Sequence, residues 1–314
     1  MPATERLSLQ AHTALAPSAN QAQTRDAFGY KWSRRSEYES TPMQESSRTW
    51  LFERYCKGDP ALLSHWLAEG GTRKLILDAG CGSGYSALLF FGDHLKDHDY
   101  LGVDISEACE IARSRFAEHG QPGEFLQCSL LDLEIPNGSI DLIFSEGVLH
   151  HTDSTRASLE FLAKKLAPGG RFLFYVYAKK AVVREFTDDH IRKHLQNLSD
   201  QDAWEALMPL THLGITLGQI DATIDVPEDI PFLGIRRGPM NLQRFFYWNI
   251  FKAFYHPEFT VQEMNHVNFD WFRPLNCHRH TPEEVSTWVK DAGLDIETMN
   301  VQESGITMVA RRSS

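Results

Sequence analysis

Apolar residues occur in this chain as short continuous runs that alternate with segments of helical spacing. Such runs, between residues 74 and 178, are "KLILDAG", "DYLGVDIS", "EFLQCSL", "SIDLIFSEG" and "RFLFYVYA". Continuous apolar runs are typical of strands that are buried on both faces of a sheet. The alternation of strand and helix predicts parallel strands joined by crossover helices. We therefore predict an α/β fold with a doubly wound, Rossmann-like sheet.

The C-terminal residues predict the last helix and the last two of seven strands. Thr281 and Glu284 form a capping box, Pro282 occupies the first helical position, and Gly293 follows the helix end. The segments "LDIETMN" and "GITMVAR" then predict two strands separated by a short turn. We expect them to form an antiparallel hairpin at one end of the seven-stranded sheet.

About 100 residues between these two parts do not follow the alternation. They include the aromatic segment "RFFYWNIFKAFYHPEF" and predict helices over 187–207 and 240–256. We interpret them as a helical cap inserted into the sheet domain. The predicted organisation is a flexible N-terminal tail, an N-terminal helical lid, a ligand-binding core, the inserted cap, and a C-terminal helix with its hairpin, over residues 1–23, 24–70, 71–178, 179–280 and 281–314, respectively.

Composition narrows the classes of partner. The formal net charge is −11 and the pI about 5.7, which argues against a nucleic-acid or anionic-membrane surface. Five scattered cysteines without paired spacing are typical of free thiols in a reducing compartment. No apolar run reaches the roughly 18 residues of a membrane span. We expect a cytoplasmic protein without a nucleic-acid or membrane partner; a homodimer stays open.

A glycine-rich turn follows the first predicted strand. In "LILDAGCGSGY", Gly80, Gly82 and Gly84 stand at every second position. A strand–turn–helix of this kind points backbone N–H groups and a helix N-terminus at a bound ligand. A dinucleotide loop has the spacing G-x-G-x-x-G, whereas Tyr85 stands where its third glycine would be. The spacing therefore disfavours a dinucleotide.

Two carboxylates indicate which ligand the turn holds instead. Asp78 directly precedes the turn, where it would repel a pyrophosphate and could accept a hydrogen bond from an ammonium group, directly or through water. Asp104 ends the second predicted strand, where a carboxylate can accept from both hydroxyls of a ribose. An uncharged or cationic nucleoside with an amino-acid tail fits both groups. The pattern predicts S-adenosylmethionine.

With these motifs the chain resembles the class I S-adenosylmethionine-dependent methyltransferases. "LDAGCGSG" and "GVDIS" resemble that superfamily's binding signature, and "FLQCSLLDLEIPNGSIDLIFSEGVLHH" and "LAPGGRFLFYVY" resemble its third to fifth strands. The resemblance implies that the methionine moiety lies near Asp78, Gly80, Cys81, Gly82 and Gly84. It also implies that Asp104 binds the ribose and that Ile105 packs on the adenine.

The resemblance has one departure. Many relatives carry an acidic residue just after the third strand, which accepts from the adenine amino group. Ser129 stands there, so Ser129 or the backbone of Leu130 would take this contact. Glu146, after the fourth strand, lies between the cofactor loop and the acceptor side and is a further candidate for cofactor binding.

Within the superfamily, "FGYKW", "GVLHHT" and "HRHTPEEV" resemble a group of bacterial small-molecule methyltransferases that serve biosynthetic pathways. This implies transfer of a methyl group to an oxygen or nitrogen of a small metabolite. The candidate bases are His150, His151 and Tyr177, because they follow strands at whose carboxyl ends this fold places its substrates. Each of them also has a purely structural alternative, packing against the sheet or the following helix.

Six further residues are candidates for acceptor contacts. Aromatic residues of the lid and the cap would contact an apolar part of the acceptor, and an arginine would pair with an acceptor carboxylate or phosphate. Two histidines lie on the segment that returns from the cap to the active edge of the sheet. These candidates are Trp32, Arg236, Trp248, Arg273, His278 and His280. A metal site formed by Asp270 with the last two histidines is disfavoured because the spacing matches no compact site, so we predict no metal.

Three alternatives remain open. A decarboxylase or cyclase of the same fold would use the sulfonium only as a charge. A nicotinamide-dependent oxidoreductase would need a pyrophosphate beside Asp78. A non-catalytic partner subunit would keep the fold without turnover.

Overall fold

The computed structural model describes residues 16–313, which form eleven α-helices and nine strands within that range. The helices are α1 Ala19–Ser33, α2 Thr41–Cys56, α3 Pro60–Ala68, α4 Tyr85–Phe91, α5 Ala108–Glu118, α6 Thr155–Lys165, α7 Val182–Leu195, α8 Asp200–Gln219, α9 Leu242–Asn249, α10 Val261–Phe272 and α11 Pro282–Asp291. The strands are β1 Leu75–Ala79, β2 Asp99–Asp104, β3 Glu124–Gln127, β4 Ile140–Glu146, β5 Leu166–Tyr177, β6 Thr223–Val226, β7 Gly238–Asn241, β8 Leu294–Val301 and β9 Gly305–Arg312.

Seven strands form one sheet in the order β3-β2-β1-β4-β5-β9-β8. The first five are parallel, and β9 runs antiparallel between β5 and β8. The strands β2 and β3 are added on one side of β1, and β4 and β5 on the other side. This change of side gives the doubly wound topology with a switch point beside β1. The predicted fold class is confirmed. Two apolar clusters, one on each face of the sheet, form the core.

The C-terminal helix begins as the capping residues predict. The Thr281 side chain accepts from the backbone of Glu284, and the Glu284 carboxylate accepts from the backbone of Thr281. Gly293 has a φ of 75°, which glycine adopts without a Cβ clash just after a helix end.

The N-terminal helix begins earlier than predicted. Ser18 caps α1 by accepting from the backbone N–H of Gln21, so residues 19–23 are helical and the predicted flexible tail extends too far. The remaining tail, residues 1–15, lies outside the described residues. The first helix is mostly polar and packs against the cap and the core together, and for this reason apolar periodicity does not reveal it.

The two ends of segment 179–280 lie side by side. Ala178 and His280 form a parallel bridge, and the backbone N–H of His280 donates to the carbonyl of Tyr177. The segment contains α7 to α10 and the small β6–β7 hairpin. The helix predicted over 240–256 is shorter, since it ends at Asn249. In residues 16–313 no helix has both the length and the apolarity to cross a membrane.

Candidate active site

A cavity of about 1050 Å³ lies between the sheet, the N-terminal helices and the cap. Its floor contains residues from the carboxyl ends of β1, β2, β4 and β5, and its walls come from α1, α2, α9 and α10. This is the edge at which open α/β sheets bind ligands. The volume lies at the upper end of the roughly 300–1,000 Å³ typical of ligand pockets, so it has room for a cofactor and a second small molecule.

The three glycines after β1 are required by protein packing. Gly80, Gly82 and Gly84 have φ values of 91°, 50° and 71°, which L side chains rarely adopt. A Cβ on Gly82 would lie 2.8 Å from Nε1 of Trp32, and one on Gly84 would lie 2.9 Å from Phe116. Only Gly80 of the three lines the cavity. The predicted ligand contacts of Gly82 and Gly84 are therefore not supported, because side chains of the protein occupy those positions.

Asp104 lies at the cavity with its carboxylate held in place. Its Oδ1 accepts from the backbone N–H and hydroxyl of Ser106 at 2.8 and 2.7 Å, and its Oδ2 accepts from the N–H of Gly82 at 2.9 Å. A carboxylate has about four acceptor positions, so Oδ2 keeps one for a ligand hydroxyl. Burial raises the pKa of Asp104, which the three donated hydrogen bonds partly oppose.

Asp78 and Cys81 do not line the cavity. The Asp78 carboxylate accepts from the hydroxyl of Tyr100 at 2.6 Å, and burial raises its pKa to about 7. Strand alternation places Asp78 on the same face as Ile76, inside the core. The Cys81 thiol lies 4.0 Å from that of Cys109 beneath the turn. The predicted direct contacts of both side chains with a cofactor are therefore not supported by this arrangement.

Ile105, Ser129 and Leu130 line the cavity beside Asp104, as the resemblance implies. Asp132, three residues after Ser129, lines it as well. The carboxylate that many relatives carry directly after β3 thus has a counterpart one 3₁₀ turn later. Sequence reasoning missed Asp132 because a fixed alignment position does not register such a displacement.

Glu146 lines the cavity but is already engaged. Its carboxylate forms an ion pair with Arg54 and accepts from the hydroxyl of Tyr55 at 2.5 Å. Arg54 is almost fully buried and also lies over the ring of Tyr175, with 3.8 Å to the centroid. Glu146 therefore joins α2 to β4 and leaves little acceptor capacity for a cofactor.

Of the two adjacent histidines after β4, His151 is the one that lines the cavity. Its Nδ1 lies 2.6 Å from the carbonyl oxygen of Asn276, so Nδ1 carries the proton and donates. Its Nε2 is buried and has no protein partner within residues 16–313. Burial lowers the pKa of His151 to about 4, with Asp270 opposing the shift. At neutral pH the imidazole is uncharged and its Nε2 lone pair is free to accept a proton.

The neighbouring predicted base, His150, does not line the cavity. It is fully buried, and its ring centroid lies 3.8 Å from that of Tyr177. Burial lowers the pKa of His150 well below its usual range. The predicted contact of His150 with an acceptor is not supported, because the Tyr177 ring packs directly against it.

Tyr177 lines the cavity as a hydrogen-bond donor. Its hydroxyl donates to Asp270 at 2.8 Å, and Asp270 forms an ion pair with Lys31. Burial raises the pKa of Tyr177 well above its ordinary value, and Asp270 adds to the shift. Burial alone would raise the pKa of Asp270, but Lys31, His151 and Lys252 hold it well below its usual range. Tyr177 is therefore no base at neutral pH.

Comparison with known proteins agrees with this geometry. The methyltransferase domain family matches residues 77–174. The core of the chain is therefore a methyltransferase domain. This confirms the predicted family and, with it, S-adenosylmethionine as the family's cofactor.

Curated relatives match only part of this chain. An uncharacterised Synechococcus protein is 37% identical over 122 residues, which cover 37% of this chain and 29% of the relative. The probable tRNA methyltransferase 9B of Homo sapiens is 32% identical over 124 residues, covering 38% of this chain and 25% of the relative. The match thus spans less than a third of the length of these curated relatives.

One solved structure that this chain resembles is magnesium protoporphyrin IX methyltransferase from Synechocystis PCC 6803 with bound S-adenosylmethionine. The identity is 14% and the TM-score 0.48, with 96% of this chain and 100% of that chain covered.

Two of the six residues predicted to contact the acceptor, Trp32 and Trp248, line the cavity. The other four do not; they are Arg236, Arg273, His278 and His280. Arg236 is exposed on the cap. Arg273 donates to Asp200 at 2.7 Å and to the carbonyls of Leu195 and Leu198, and these bonds hold parts of the cap together.

The two histidines after the cap also hold structure together. His278 Nε2 lies 3.0 Å from the carbonyl of Thr152, and His280 Nε2 lies 2.9 Å from the hydroxyl of Thr155. They join the returning chain to the start of α6. Within the described part of the chain, no three histidine, cysteine or acidic side chains converge as metal ligands.

Several cavity residues escaped sequence reasoning. Lys180 follows β5 by three residues, at the edge where substrates bind, so its position was a usable signal. Others come from the cap and the N-terminal helices, and only folding brings them to the sheet; these are Lys31, Arg54, Arg184, Lys252, His266, Asp270 and Trp271.

Proposed function

We propose that this chain transfers a methyl group from S-adenosylmethionine to an oxygen or nitrogen of a small metabolite. One observation carries the proposal: Asp104, Ile105, His151 and the aromatic walls of the cap line a single cavity, and His151 Nε2 has no protein partner within residues 16–313. A cofactor and an acceptor can therefore meet without solvent between them. The sulfonium supplies an electrophilic methyl group when the cofactor is bound.

The residues at the core end fit the nucleoside. Asp104 accepts one ribose hydroxyl at the open position of Oδ2, while its other positions are held by Ser106 and Gly82. Ile105 packs on the adenine, and Ser129, Leu130 or Asp132 accepts from its amino group. Gly80 lies against the methionine moiety.

The residues at the cap end prepare the acceptor. His151 Nε2 removes the proton from an acceptor hydroxyl or amine as the methyl group arrives. The Nδ1 hydrogen bond to Asn276 and the edge of Phe28, 4.9 Å from the imidazole centroid, keep the ring in this orientation. Trp32 and Trp248 exclude water and orient a ring or apolar body for in-line transfer.

A small acceptor fits the net charge of −11 better than tRNA does, although probable tRNA methyltransferases are among the relatives. A decarboxylase or cyclase of the same fold would bind the cofactor and yield no methylated product. A screen of small acceptors with methyl-labelled cofactor separates these outcomes.

Substitution of Asp104 tests the cofactor assignment. We expect Asp104→Ala to weaken S-adenosylmethionine and S-adenosylhomocysteine about tenfold or more in calorimetry, because a charge-assisted hydrogen bond is lost. Glu110→Ala, on the exposed face of the following α5, is the matched control and leaves both affinities unchanged. Unchanged cofactor affinity in Asp104→Ala, or binding of NADH in its place, contradicts the proposal.

A further inference from the structure

Three cations at the cap end of the cavity surround one indole. The charged groups of Lys180, Arg184 and Lys252 lie 5.4, 5.4 and 5.1 Å from the ring centroid of Trp271. All four residues line the cavity. Arg184 and Lys252 are 1% and 5% exposed, so bulk water does little to screen their charges.

The carboxylates near this cluster are already paired. Arg184 donates to Asp188 at 2.7 Å, and this ion pair is neutral as a unit. Asp270 forms its ion pair with Lys31 from α1. Neither carboxylate is left to neutralise a further cation at this end of the cavity.

In the described part of the chain, the two lysines therefore have no carboxylate partner of their own. Lys180 donates to the carbonyls of Glu303 and Ser304, and Lys252 donates to the carbonyl of Val267 at 2.8 Å. Neither ammonium group takes part in an ion pair within residues 16–313. A carbonyl dipole offsets only part of the cost of burying an ammonium charge.

The pKa values of Lys180 and Lys252 agree with the absence of an ion-pair partner among the described residues. Burial lowers the pKa of both lysines to about 7, and Arg184 lowers it further in each case. The nearby carboxylates of Glu185, Asp188 and Asp270 oppose the shift without abolishing it. A bound anion would restore the charged form of both side chains.

We propose that Lys180, Arg184 and Lys252 form a subsite for a carboxylate or phosphate group of the methyl acceptor. The inference rests on the proposed function and deepens it, because it specifies the acceptor as a small molecule with an oxyanion. Arg184 and Lys252 are cap residues whose side chains are nearly fully buried and line the cavity, so the ligand enters the cavity and does not lie across the surface.

Ring contacts connect the subsite to the base. The Tyr177 centroid lies 4.5 Å from that of Trp271 and 5.5 Å from that of His151. A planar acceptor that extends along these rings holds its oxyanion at the lysines and its reacting hydroxyl or amine at His151 Nε2. The geometry thus favours an aromatic or similarly flat acid.

The test compares matched probes on the chain loaded with S-adenosylhomocysteine. Calorimetry measures 4-hydroxybenzoate, phenyl phosphate and the neutral 4-hydroxybenzamide. We expect at least one anion to bind about tenfold more tightly than the amide, and the two anions distinguish a carboxylate subsite from a phosphate subsite. No substitution is needed for this comparison.

Lysine substitutions then test which residues cause the preference for the anionic probes. K180Q and K252Q should each reduce it about tenfold, whereas K179Q should retain it, because Lys179 is exposed and pairs with Glu284 outside the cavity. S-adenosylhomocysteine affinity and thermal unfolding of each variant show that the core is intact.

The possible failures are distinct. Equal binding of anionic and neutral probes, or no anion binding at millimolar concentration, to protein that binds S-adenosylhomocysteine overturns the subsite alone. Transfer of labelled methyl groups to RNA and not to small acids overturns it as well. A chain that does not bind S-adenosylhomocysteine contradicts the proposed function itself.

Discussion

His151 and His150 are adjacent in sequence, yet their chemistry differs because of their neighbours. His151 lines the cavity, and the carbonyl of Asn276 fixes its tautomer so that the unpartnered nitrogen is Nε2. His150 does not line the cavity, and it packs against Tyr177 with both nitrogens buried and unpartnered within the described residues. A histidine dipeptide after β4 therefore supplies one candidate base.

We expect His151→Gln to lower kcat by about 10²–10⁴-fold, because glutamine cannot accept the acceptor's proton. The measurement uses an acceptor identified with labelled cofactor. His278→Gln is the matched control, since His278 lies on the returning segment outside the cavity. Equal losses of kcat in the two variants would show that His151 has only a structural role, like that of His278.

The same residue predicts a pH profile. A base works only when it is unprotonated, and burial lowers the pKa of His151 to about 4. The value of kcat/KM should therefore stay constant as pH falls past 6.5, the ordinary value for histidine, and decline only as pH approaches 4. An acid limb centred near pH 6.5 would assign the proton transfer to another group.

The turn after β1 shows how a local element depends on its neighbour. Its glycines have positive φ, and α1 places Trp32 against Gly82, so the lid helix and the turn are packed as one unit. The ligand-binding shape of the turn is thus set partly by residues that lie some fifty positions earlier in the chain.

A pair of glycine substitutions separates backbone strain from packing. Gly120 also has positive φ, at 62°, but a Cβ added there would meet nothing within 4 Å. We expect Gly120→Ala to cost about 1 kcal/mol of unfolding free energy, and Gly82→Ala about 1–3 kcal/mol more because Trp32 must move. Chemical denaturation measures both values.

Cofactor affinity provides the second readout for this pair. Gly82→Ala should also weaken S-adenosylhomocysteine, since Gly82 N–H donates to Asp104. Equal destabilisation by the two substitutions would mean that the Trp32 contact contributes nothing.

At the scale of the whole molecule, helix α1 connects the core to the cap. Lys31 pairs with Asp270 of α10, and Gln23 forms hydrogen bonds with the backbone of Arg273 and Leu275 beyond that helix. The ion pair is nearly buried, so removal of one partner leaves an uncompensated charge.

We expect Lys31→Met to lower the free energy of unfolding by about 3 kcal/mol. The double variant Lys31→Met with Asp270→Asn should recover part of this loss, because no lone carboxylate remains. Denaturation of the two single variants and the double variant forms the cycle. Additive losses would show that the two side chains do not interact.

The sequence by itself determined the sheet. Continuous apolar strands, a capping box at Thr281 and Glu284, and helix-stopping glycines are local signals, so they predict the class of fold and the C-terminal hairpin. Asp104 and Ile105 also follow from local position, because they end a strand beside the turn.

Only the tertiary structure decided which side chains meet the cavity. Asp78 faces the core, His278 and His280 bind backbone and hydroxyl partners, and Lys252, Asp270 and Trp271 converge from the cap. These placements depend on contacts between residues far apart in the chain, and single-sequence periodicity carries no information about them. The cofactor end is formed by neighbours along the sequence, whereas the acceptor end is formed by packing.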